Sequence, residues 1–531
     1  MPVPEAVRKV ARPINTVVVD RGVNGPKRYA VRERIGVKYG PRGNPQPING
    51  RVIGHIFNGV FVACEQTEKV APTGPQELSY GAAAFVHSEI KDLLDDLLKV
   101  YPITDACTII CIAMLRCIKP DVKNRRLSTE YHRTFVSRFI PGIALTSNTV
   151  GKFLDLIGQD TKKRHQFFLR RLAGVAAQHH ILIDGMLKQD TSEVNDLSHF
   201  SYKARVKGCK DISILYAYDL ERMEPVCAEV FAGNQIDAAT FATFIDECHI
   251  EKGIIVADKG FPPSQIEDQL QTKPALHFLI PIKRNDKRIQ HNNMLDYQGV
   301  LTGIDQQISY CKKKIRTGRY LYAFKNHSKA NGERYVFIER MKKDRSLTQA
   351  DLKKNEELFG VIVFESDQDI SPLATYLCYE DRWQIELVFD AYKNDELLDH
   401  TNVQSDFALR GSEFVNFMTT VLTCRLRRRA QRAGLLNNLS FKDLMEDLAT
   451  VWRKVDGPMP PKADDRYWVA DYKGAFTLME TLGLIAPAVN SKPALRVTAQ
   501  GIVVPRKAGR PRVRPVFVGP KRPRGRPHKT P

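Results

Sequence analysis

Long apolar runs, a secretory signal pattern and clustered cysteines are all missing from this chain of 531 residues. The longest apolar run, at 106 to 115, is far shorter than the ~20 residues that a membrane span needs. The ten cysteines are scattered, and no second Cys or His pair follows Cys107, Cys111 and Cys117 at zinc-ligand spacing. We therefore expect buried thiols, no membrane partner and a reducing cytoplasm.

Acidic residues are scarce at the two ends of the chain. Residues 1 to 51 hold eleven Lys/Arg against three acids, and residues 501 to 531 hold ten Lys/Arg and no acid. The formal net charge is +20, so all the remaining residues together contribute only +2. Basic ends on a near-neutral body indicate contact with a polyanion, and a pair of solvated tails is the alternative.

Changes in the hydrophobic period predict the domain organisation. Alternating residues around Gly/Pro/Asn turns at 27 to 66 indicate a small basic β-meander, and helical spacing follows from 81 to 175. The predicted regions, in chain order, are a basic β-rich region (1–70), a helical domain (81–175), an α/β core (178–262 and 372–425) interrupted by a β-rich insertion domain (263–371), a C-terminal helical region (426–490) and a basic disordered tail (491–531).

The α/β core places acids where elements end. Its first part predicts the order β-β-β-α-β, with the first strand, "HILIDG", ending on Asp184 and the fourth, "GIIVADKGF", ending on Asp258. A helix over 372 to 394 then carries Glu386. Each acid alone has an ordinary explanation as a turn former or a solvated side chain. Together they predict a site for hard divalent cations, since Mg²⁺ prefers carboxylate oxygen and suits phosphate chemistry.

The same helix contains "YEDRWQIELVFDAYKN", which carries a phenol, two cations and a carboxylate at helical spacing: Tyr379, Arg382, Glu386 and Lys393. At about 100° per residue these side chains fall within about 60° of one another on a continuous helix. A surface helix with ordinary i,i+4 ion pairs is the alternative interpretation.

The pattern Y-(2)-R-(3)-E-(6)-K resembles the signature of bacterial insertion-sequence DDE transposases of the IS-four-like superfamily. Three further motifs resemble the family's blocks around its first two acids: "LIDG" at 182 to 185, "AGNQIDAATF" at 232 to 241 and "VADKGF" at 256 to 261. The four motifs stand in the family's order, and the resemblance covers roughly residues 180 to 425 well.

The resemblance implies a fold, a site and a reaction. The fold is a ribonuclease-H-like catalytic core with a β-rich insertion, preceded by a helical DNA-binding domain at 81 to 175. The site is a triad of Asp184, Asp258 and Glu386 that binds Mg²⁺, with Mn²⁺ as a substitute. The reaction is strand cleavage and strand transfer. The alternatives are a catalytically silent DNA-binding descendant and an RNase H-like nuclease or resolvase.

The implied partner is double-stranded DNA, both the transposon ends and the target, held by a homodimer at the bacterial nucleoid. Tyr379, Arg382 and Lys393 would contact the DNA backbone beside the scissile phosphate. Tryptophan is absent from 262 to 371, where some relatives use one to hold a flipped base while a DNA hairpin forms. Tyr320 or Tyr322 could stack instead, so the hairpin route stays open.

The C-terminal tail adds a second DNA-binding hypothesis. Arg524-Gly525-Arg526-Pro527 resembles the AT-hook, whose extended core lies in the minor groove of A·T-rich DNA. A non-specific polybasic tail is the equal alternative. With seven prolines and no apolar period over 501 to 531, we expect the tail to be disordered without DNA.

Overall fold

The computed structural model describes most of the chain. Outside the described residues lie 1–2, 40–43, 65–76, 191, 193, 202–207, 236–237, 258–266, 317, 345, 382, 396–397, 399, 402, 457–467, 471–472, 486–495, 499–500 and 504–531. Four predicted site residues, Asp258, Arg382, Arg524 and Arg526, therefore lie outside them. The chain divides into two compact units, Met1–Gln76 and Glu77–Pro531.

The first unit is built on a four-stranded antiparallel sheet with the order β1-β2-β3-β4. Its elements are α1 (Glu5–Arg8), β1 (Thr16–Asp20), β2 (Tyr29–Tyr39), β3 (Pro45–Phe57) and β4 (Val60–Ala63). Asn58 and Gly59, both at positive φ, make the tight turn between β3 and β4. Strands β2 to β4 have the up-and-down order that the alternating pattern at 27 to 66 predicts.

The second unit begins with a short strand and a group of helices. They are β5 (Glu77–Ser79), α2 (Gly81–His87), α3 (Lys91–Leu98), α4 (Ile103–Ile118), α5 (Leu127–Arg133), α6 (Val136–Phe139), α7 (Ser147–Gln159) and α8 (Thr161–Ala173). Thr146 caps α7 by accepting a hydrogen bond from the Thr149 N–H. The buried faces of these helices belong to the same hydrophobic core as the sheet that follows.

A ten-stranded mixed sheet forms the centre of the second unit, with the order β11-β12-β13-β14-β10-β9-β6-β7-β8 and β15 paired beside the end of β6. Its elements are β6 (His180–Asp190), β7 (Lys210–Asp219), β8 (Glu224–Ala232), α9 (Ala238–Glu247), β9 (Lys252–Ala257), α10 (Glu267–Thr272), β10 (Ala275–Ile282), α11 (Lys287–His291), β11 (Gly299–Val300), β12 (Ile308–Arg316), β13 (Arg319–Asn326), α12 (His327–Lys343), α13 (Gln349–Glu356), β14 (Val361–Ser366) and β15 (His400–Thr401). The predicted β-β-β-α-β order is present from β6 to β9, and the mixed α/β class is confirmed.

The insertion differs from the prediction in two ways. "ERYVFIERM", which belongs to the region predicted to be β-rich, lies in helix α12, which Asn326 caps by accepting from the Lys329 N–H. No residue of α12 is buried, and Tyr335 and Val336 are exposed. Its apolar residues therefore do not follow the one-sided spacing by which a helix is recognised in a sequence. The strands of the insertion also continue the core sheet, since β10 pairs in parallel with β9 and antiparallel with β14.

The helix predicted over 372 to 394 is interrupted. The structure has α14 (Pro372–Glu380), then α15 (Trp383–Asp390), then a π-helical segment at Ala391–Asp395. The stripe geometry assumed a continuous helix of 3.6 residues per turn, and that assumption is wrong. A π-helical turn closes i→i+5 hydrogen bonds, so it shifts the direction of every side chain after Asp390.

The 27-residue helix α16 (Asp406–Arg432) crosses the helical group at two glycines. A Cβ on Gly158 of α7 would lie 1.7 Å from the Phe407 carbonyl oxygen, and a Cβ on Gly411 would lie 1.9 Å from the Leu154 carbonyl oxygen. Only glycine permits so close an approach of two helix backbones. Among the described residues, no helix combines the length and the apolar character that crossing a membrane requires.

The C-terminal region is not all helical. It contains α17 (Phe441–Ala449), β16 (Val451–Lys454), β17 (Trp468–Ala470), α18 (Lys473–Thr481), β18 (Arg496–Thr498) and β19 (Gly501–Val503). Strand β16, which lies in the region predicted to be helical, pairs with β5 and β17. Strands β18 and β19 pair within the region predicted to be disordered, and residues 504–531 of that tail lie outside the described residues.

Candidate functional site

Asp184 lies within strand β6 and not at its end. The strand continues to Asp190 because β7 pairs with it along its whole length, from Ile181 to Asp190. Asp184 is half-buried, and its Oδ1 accepts a hydrogen bond from the Gly185 N–H at 2.8 Å. The predicted position of the first acid is therefore corrected from a strand end to a strand interior.

The parallel neighbour of β6 brings the segment of the second acid to the same level of the sheet. Ile183 of β6 is the register partner of Ala257, the last residue of β9. Asp184 and Asp258 are the next residues along each chain segment. Asp258 itself lies outside the described residues, so the register of the preceding residues is what the structure contributes.

Glu386 lies in the first turn of α15 and is exposed. Helix α15 contacts β6, and its Phe389 ring lies edge-on to the ring of Tyr216, with 6.0 Å between centroids. Tyr216 is in turn the register partner of Asp184 on β7. The acid of the strand and the acid of the helix are thus carried by elements that pack against each other.

The other members of the predicted stripe have different surroundings. Tyr379 ends its helix half-buried, with its ring centroid 4.7 Å from that of Phe364 on β14. Lys393 lies half-buried in the π-helical segment. Arg382 lies outside the described residues. The structure therefore places Tyr379 against the sheet, while Glu386 is exposed to solvent.

A buried polar cluster on the Asp184 face of the sheet was missed by sequence reasoning. Lys188 lies four residues after Asp184, on the same face of the strand. Its Nζ donates hydrogen bonds to Glu413 Oε1 at 2.7 Å and to Tyr392 Oη at 2.9 Å, and Tyr392 Oη donates to Glu413 Oε2 at 2.6 Å. The available signal was a lysine inside a strand and a glutamate inside an apolar helix.

A second group of metal-ligand type lies at the other end of β6. Ligand atoms of His179, Asp219 and Glu221 all lie within 4.8 Å of one another, the arrangement that could hold an ion among the described residues. Burial raises the pKa of Glu221, but the hydrogen bonds from His180 outweigh it and lower the pKa overall. Asp219 also accepts from the Glu221 and Arg222 N–H groups, so this cluster already closes the β7–β8 turn.

One of the two tyrosines proposed to stack a base is unsuited to it. Tyr322 is fully buried, donates from its hydroxyl to the Gln368 carbonyl oxygen at 2.8 Å and accepts from the Ile370 N–H. Burial raises its pKa to about 12. Tyr320 is half-buried, with the Lys312 ammonium 5.7 Å from its ring centroid. The interpretation of Tyr322 as a stacking residue is wrong, and that of Tyr320 stays a prediction.

Comparison with known proteins finds one family whose model covers the residues of this site up to residue 411. Residues 161–411 match the model of the transposase DDE domain family. A solved structure of a piggyBac transposase, described as a synaptic complex with hairpin DNA, is 11% identical over 70% of this chain and 80% of that chain, with a TM-score of 0.36. No curated protein matches the chain. The match confirms, over residues 161–411, the similarity to DDE transposases that the motifs indicate, and the IS-four-like subtype stays a prediction.

Proposed function

We propose that this DDE transposase domain binds the terminal repeats of an insertion sequence and catalyses metal-dependent strand cleavage and strand transfer. The observation that carries the proposal is the packing of α15, with Glu386, against β6, with Asp184. The strand order β8-β7-β6-β9-β10, an antiparallel meander beside parallel strands, supports a ribonuclease-H-like core.

The donor set fits a hard divalent cation. Asp184 is half-buried, Glu386 is exposed, and both offer carboxylate oxygens, the ligands that Mg²⁺ and Mn²⁺ prefer. Asp258 would supply the third carboxylate, because the residue before it, Ala257, is the parallel register partner of Ile183, the residue before Asp184. Bound by these carboxylates, a pair of such ions would supply the activation of the attacking oxygen and the stabilisation of the leaving oxygen at phosphorus.

The chain's own residues hold and orient the DNA strand. Lys393 and Arg382 would neutralise phosphate charge, and Tyr379 would donate a hydrogen bond from the sheet side of α14. The basic region at 1–70 and the helical domain at 81–175 would bind the rest of the transposon end, in a homodimer that brings two ends together. A cytoplasmic, nucleoid-associated location is part of the same proposal.

The test uses duplexes that carry the inverted repeats flanking the reading frame. Asp184→Asn, Asp258→Asn and Glu386→Gln should each lower the cleavage rate by at least about a thousandfold, while end binding stays within a few fold. Glu221→Gln, in the second cluster, is the control and should cleave at the wild-type rate.

Two outcomes would point to the other functions. End binding by the wild-type chain with no cleavage in Mg²⁺ or Mn²⁺ would favour a silent DNA-binding descendant. Cleavage of branched duplexes without any strand transfer would favour a nuclease or resolvase. Wild-type cleavage by Asp184→Asn would overturn the triad assignment itself.

The tail is proposed to add DNA affinity through Arg524 and Arg526. Either minor-groove binding by the Arg-Gly-Arg-Pro core or non-specific phosphate contact would make that affinity fall steeply as salt rises. Deletion of 505–531 distinguishes the two when A·T-rich and G·C-rich duplexes are titrated at one salt concentration. A larger loss on the A·T-rich duplex supports groove binding, and an equal loss supports the polybasic alternative.

A further inference from the structure

Three elements of the second unit meet at one buried cluster of charge. Lys188 comes from β6, Tyr392 from the π-helical segment and Glu413 from α16. The side chains of Lys188 and Glu413 are 3% and 4% exposed, and Tyr392 is fully buried. Asn416 completes the cluster by donating to Glu413 Oε1 at 3.0 Å. We call Lys188, Tyr392 and Glu413 the clamp.

Burial of such a pair is a poor way to gain stability. Removing a lysine and a carboxylate from water costs several kcal/mol per ion, and apolar residues of similar volume often stabilise a protein equally well. The clamp compensates this cost with several hydrogen bonds of good length. Compared with an apolar contact, the clamp adds a defined geometry, because hydrogen bonds fix the relative position and orientation of the three elements.

The clamp lies on the same elements as two of the candidate acids, so its geometry affects the position of those acids. Lys188 lies about 13 Å along the strand from Asp184, on the same face of the sheet. Tyr392 lies about 9 Å along the helical axis from Glu386. The Lys188–Tyr392 hydrogen bond therefore ties the strand of the first acid to the helical segment of the third.

The π-helical segment makes this link specific. A single π turn changes the direction of the side chains that follow it, and such turns often occur beside functional sites. Here it carries Tyr392 inward, where its ring lies edge-on to Tyr216 at 6.4 Å and the Lys188 ammonium lies 5.3 Å from its centroid. Lys393, the next residue, is only half-buried.

We propose that Lys188, Tyr392 and Glu413 are positioning residues that hold the Asp184 strand and the Glu386 helix at the separation a shared divalent ion needs. The inference rests on the proposed function, since it assumes that both acids bind the ion. The clamp residues do not touch the ion or the DNA, and they act through the elements that carry the acids.

The experiment compares three clamp variants of the full chain with one control. Tyr392→Phe removes only the hydroxyl, Glu413→Gln removes the charge, and Lys188→Met removes the ammonium. The control, Arg425→Met, removes another buried cation of α16, about 18 Å further along the helix. If Lys188→Met fails to fold, Tyr392→Phe provides the result.

Two readouts are measured, neither of which is activity. Amide hydrogen exchange over 383–395 should be about tenfold faster in Tyr392→Phe than in the wild type, and unchanged in the control. Titration with Mn²⁺ alone, followed by electron paramagnetic resonance, should show about 10- to 100-fold weaker binding in the clamp variants. The control should bind Mn²⁺ as the wild type does.

Each outcome has one meaning. Wild-type exchange over 383–395 in Tyr392→Phe, or wild-type Mn²⁺ affinity in all clamp variants, overturns the positioning role. Equal weakening in Arg425→Met would reduce the effect to general stability, which also overturns it. Asp184→Ala in the same titration separates the two proposals: if it binds Mn²⁺ like the wild type, the acid site fails, whatever the exchange data show of the clamp.

Discussion

Helix α16 carries two buried charge clusters, one near each end, and they differ in what they join. At Glu413 the cluster joins the helix to β6, the strand of Asp184, and to the π-helical segment that follows the helix of Glu386. At Arg425 the guanidinium donates to Glu224 of β8 at 2.8 Å and to Asp92 of α3 at 2.7 Å. The second cluster thus joins the helical group to the sheet, with none of the candidate acids in it.

The two clusters also differ in the number of cations that they contain. The Arg425 cluster holds several cations, since Arg171 and Arg222 also contact Glu224. Burial disfavours the charged form of both groups, but the hydrogen bonds to Asp92 and Glu224 raise the pKa of Arg425. Contacts with Arg425 and Arg171 likewise outweigh burial and lower the pKa of Asp92 to about 2. Among the described residues, by contrast, one cation, Lys188, contacts Glu413 directly, together with the phenol of Tyr392. Arg116 reaches this cluster through Asn416. A redundant network suits stability, whereas a cluster with a single cation suits the placement of particular elements.

The first prediction concerns this redundancy and has the largest expected effect. Lys188→Met leaves Glu413 buried without a cation, so the free energy of unfolding should fall by about 5 kcal/mol, the upper end for a broken buried pair. Arg425→Met should cost about 3 kcal/mol, since Arg171 and Arg222 still contact Glu224. Urea unfolding of both variants measures the difference, and a larger loss in Arg425→Met would contradict it.

The second prediction uses a triple replacement to separate the contribution of the clamp to the stability of the fold from its effect on the position of α15. In Lys188→Met/Tyr392→Phe/Glu413→Leu no charge of the clamp remains, so the unfolding free energy should return to within about 2 kcal/mol of the wild type. Cleavage should stay at least about tenfold slower, because apolar contacts do not fix the direction of α15. Recovery of both quantities together would show that the clamp serves stability alone.

Sequence patterns predicted the parts of this domain that depend on local periodicity. The apolar runs predict β6 to β9 and the helical spacing predicts α9, and the motifs alone indicate the similarity to DDE transposases that the family match confirms. The same reasoning failed where tertiary contacts decide. "VWRK" became a strand because β5 and β17 flank it, and the π-helical segment has no period that a 3.6-residue pattern detects.

The clamp could not be predicted for a related reason. Lys188, Tyr392 and Glu413 are separated by more than two hundred residues from first to last, and each has an ordinary local explanation. Lys188 begins a run of three polar residues, Lys188 to Asp190, as at the solvent-exposed end of a strand. Only the packing of α16 over β6 shows that this face is buried, so that a charge there must find a partner.

The third prediction concerns pH and should again distinguish the two ends of α16. Burial raises the pKa values of Asp92 and Glu224, but the neighbouring arginines outweigh it and lower both. A carboxyl group whose folded pKa is depressed stabilises the fold above its unfolded pKa, and that stability is lost as pH falls through the folded value. The melting temperature should therefore fall between about pH 4 and pH 2.

The control for the pH prediction is the variant that removes the cause of the shift. In Arg425→Met the two carboxyl groups lose one of the two cations that they share, since Arg171 also contacts both. Their folded pKa values should therefore move part of the way towards the unfolded ones, and the acid slope should become less steep. Lys188→Met should keep the slope of the wild type in this window. An unchanged slope in Arg425→Met would contradict the assignment of acid sensitivity to this cluster.

The smallest predicted effect comes from Lys393, the immediate neighbour of the clamp. Tyr392 is buried and Lys393 is half-buried, so adjacent residues of one π-helical segment should separate placement from DNA contact. Lys393→Ala should leave the unfolding free energy within about 0.5 kcal/mol of the wild type, since a partly exposed lysine adds little stability. It should instead lower by about 1 the slope of the logarithm of end-binding affinity against the logarithm of salt, because one phosphate contact is lost.

Tyr392→Phe should show the reverse, with an unchanged salt slope and a lower cleavage rate. If Lys393→Ala keeps the full salt slope while Tyr392→Phe lowers it, Tyr392 and not Lys393 contacts the DNA phosphate. The buried position of Tyr392 would then not be its position in the DNA complex.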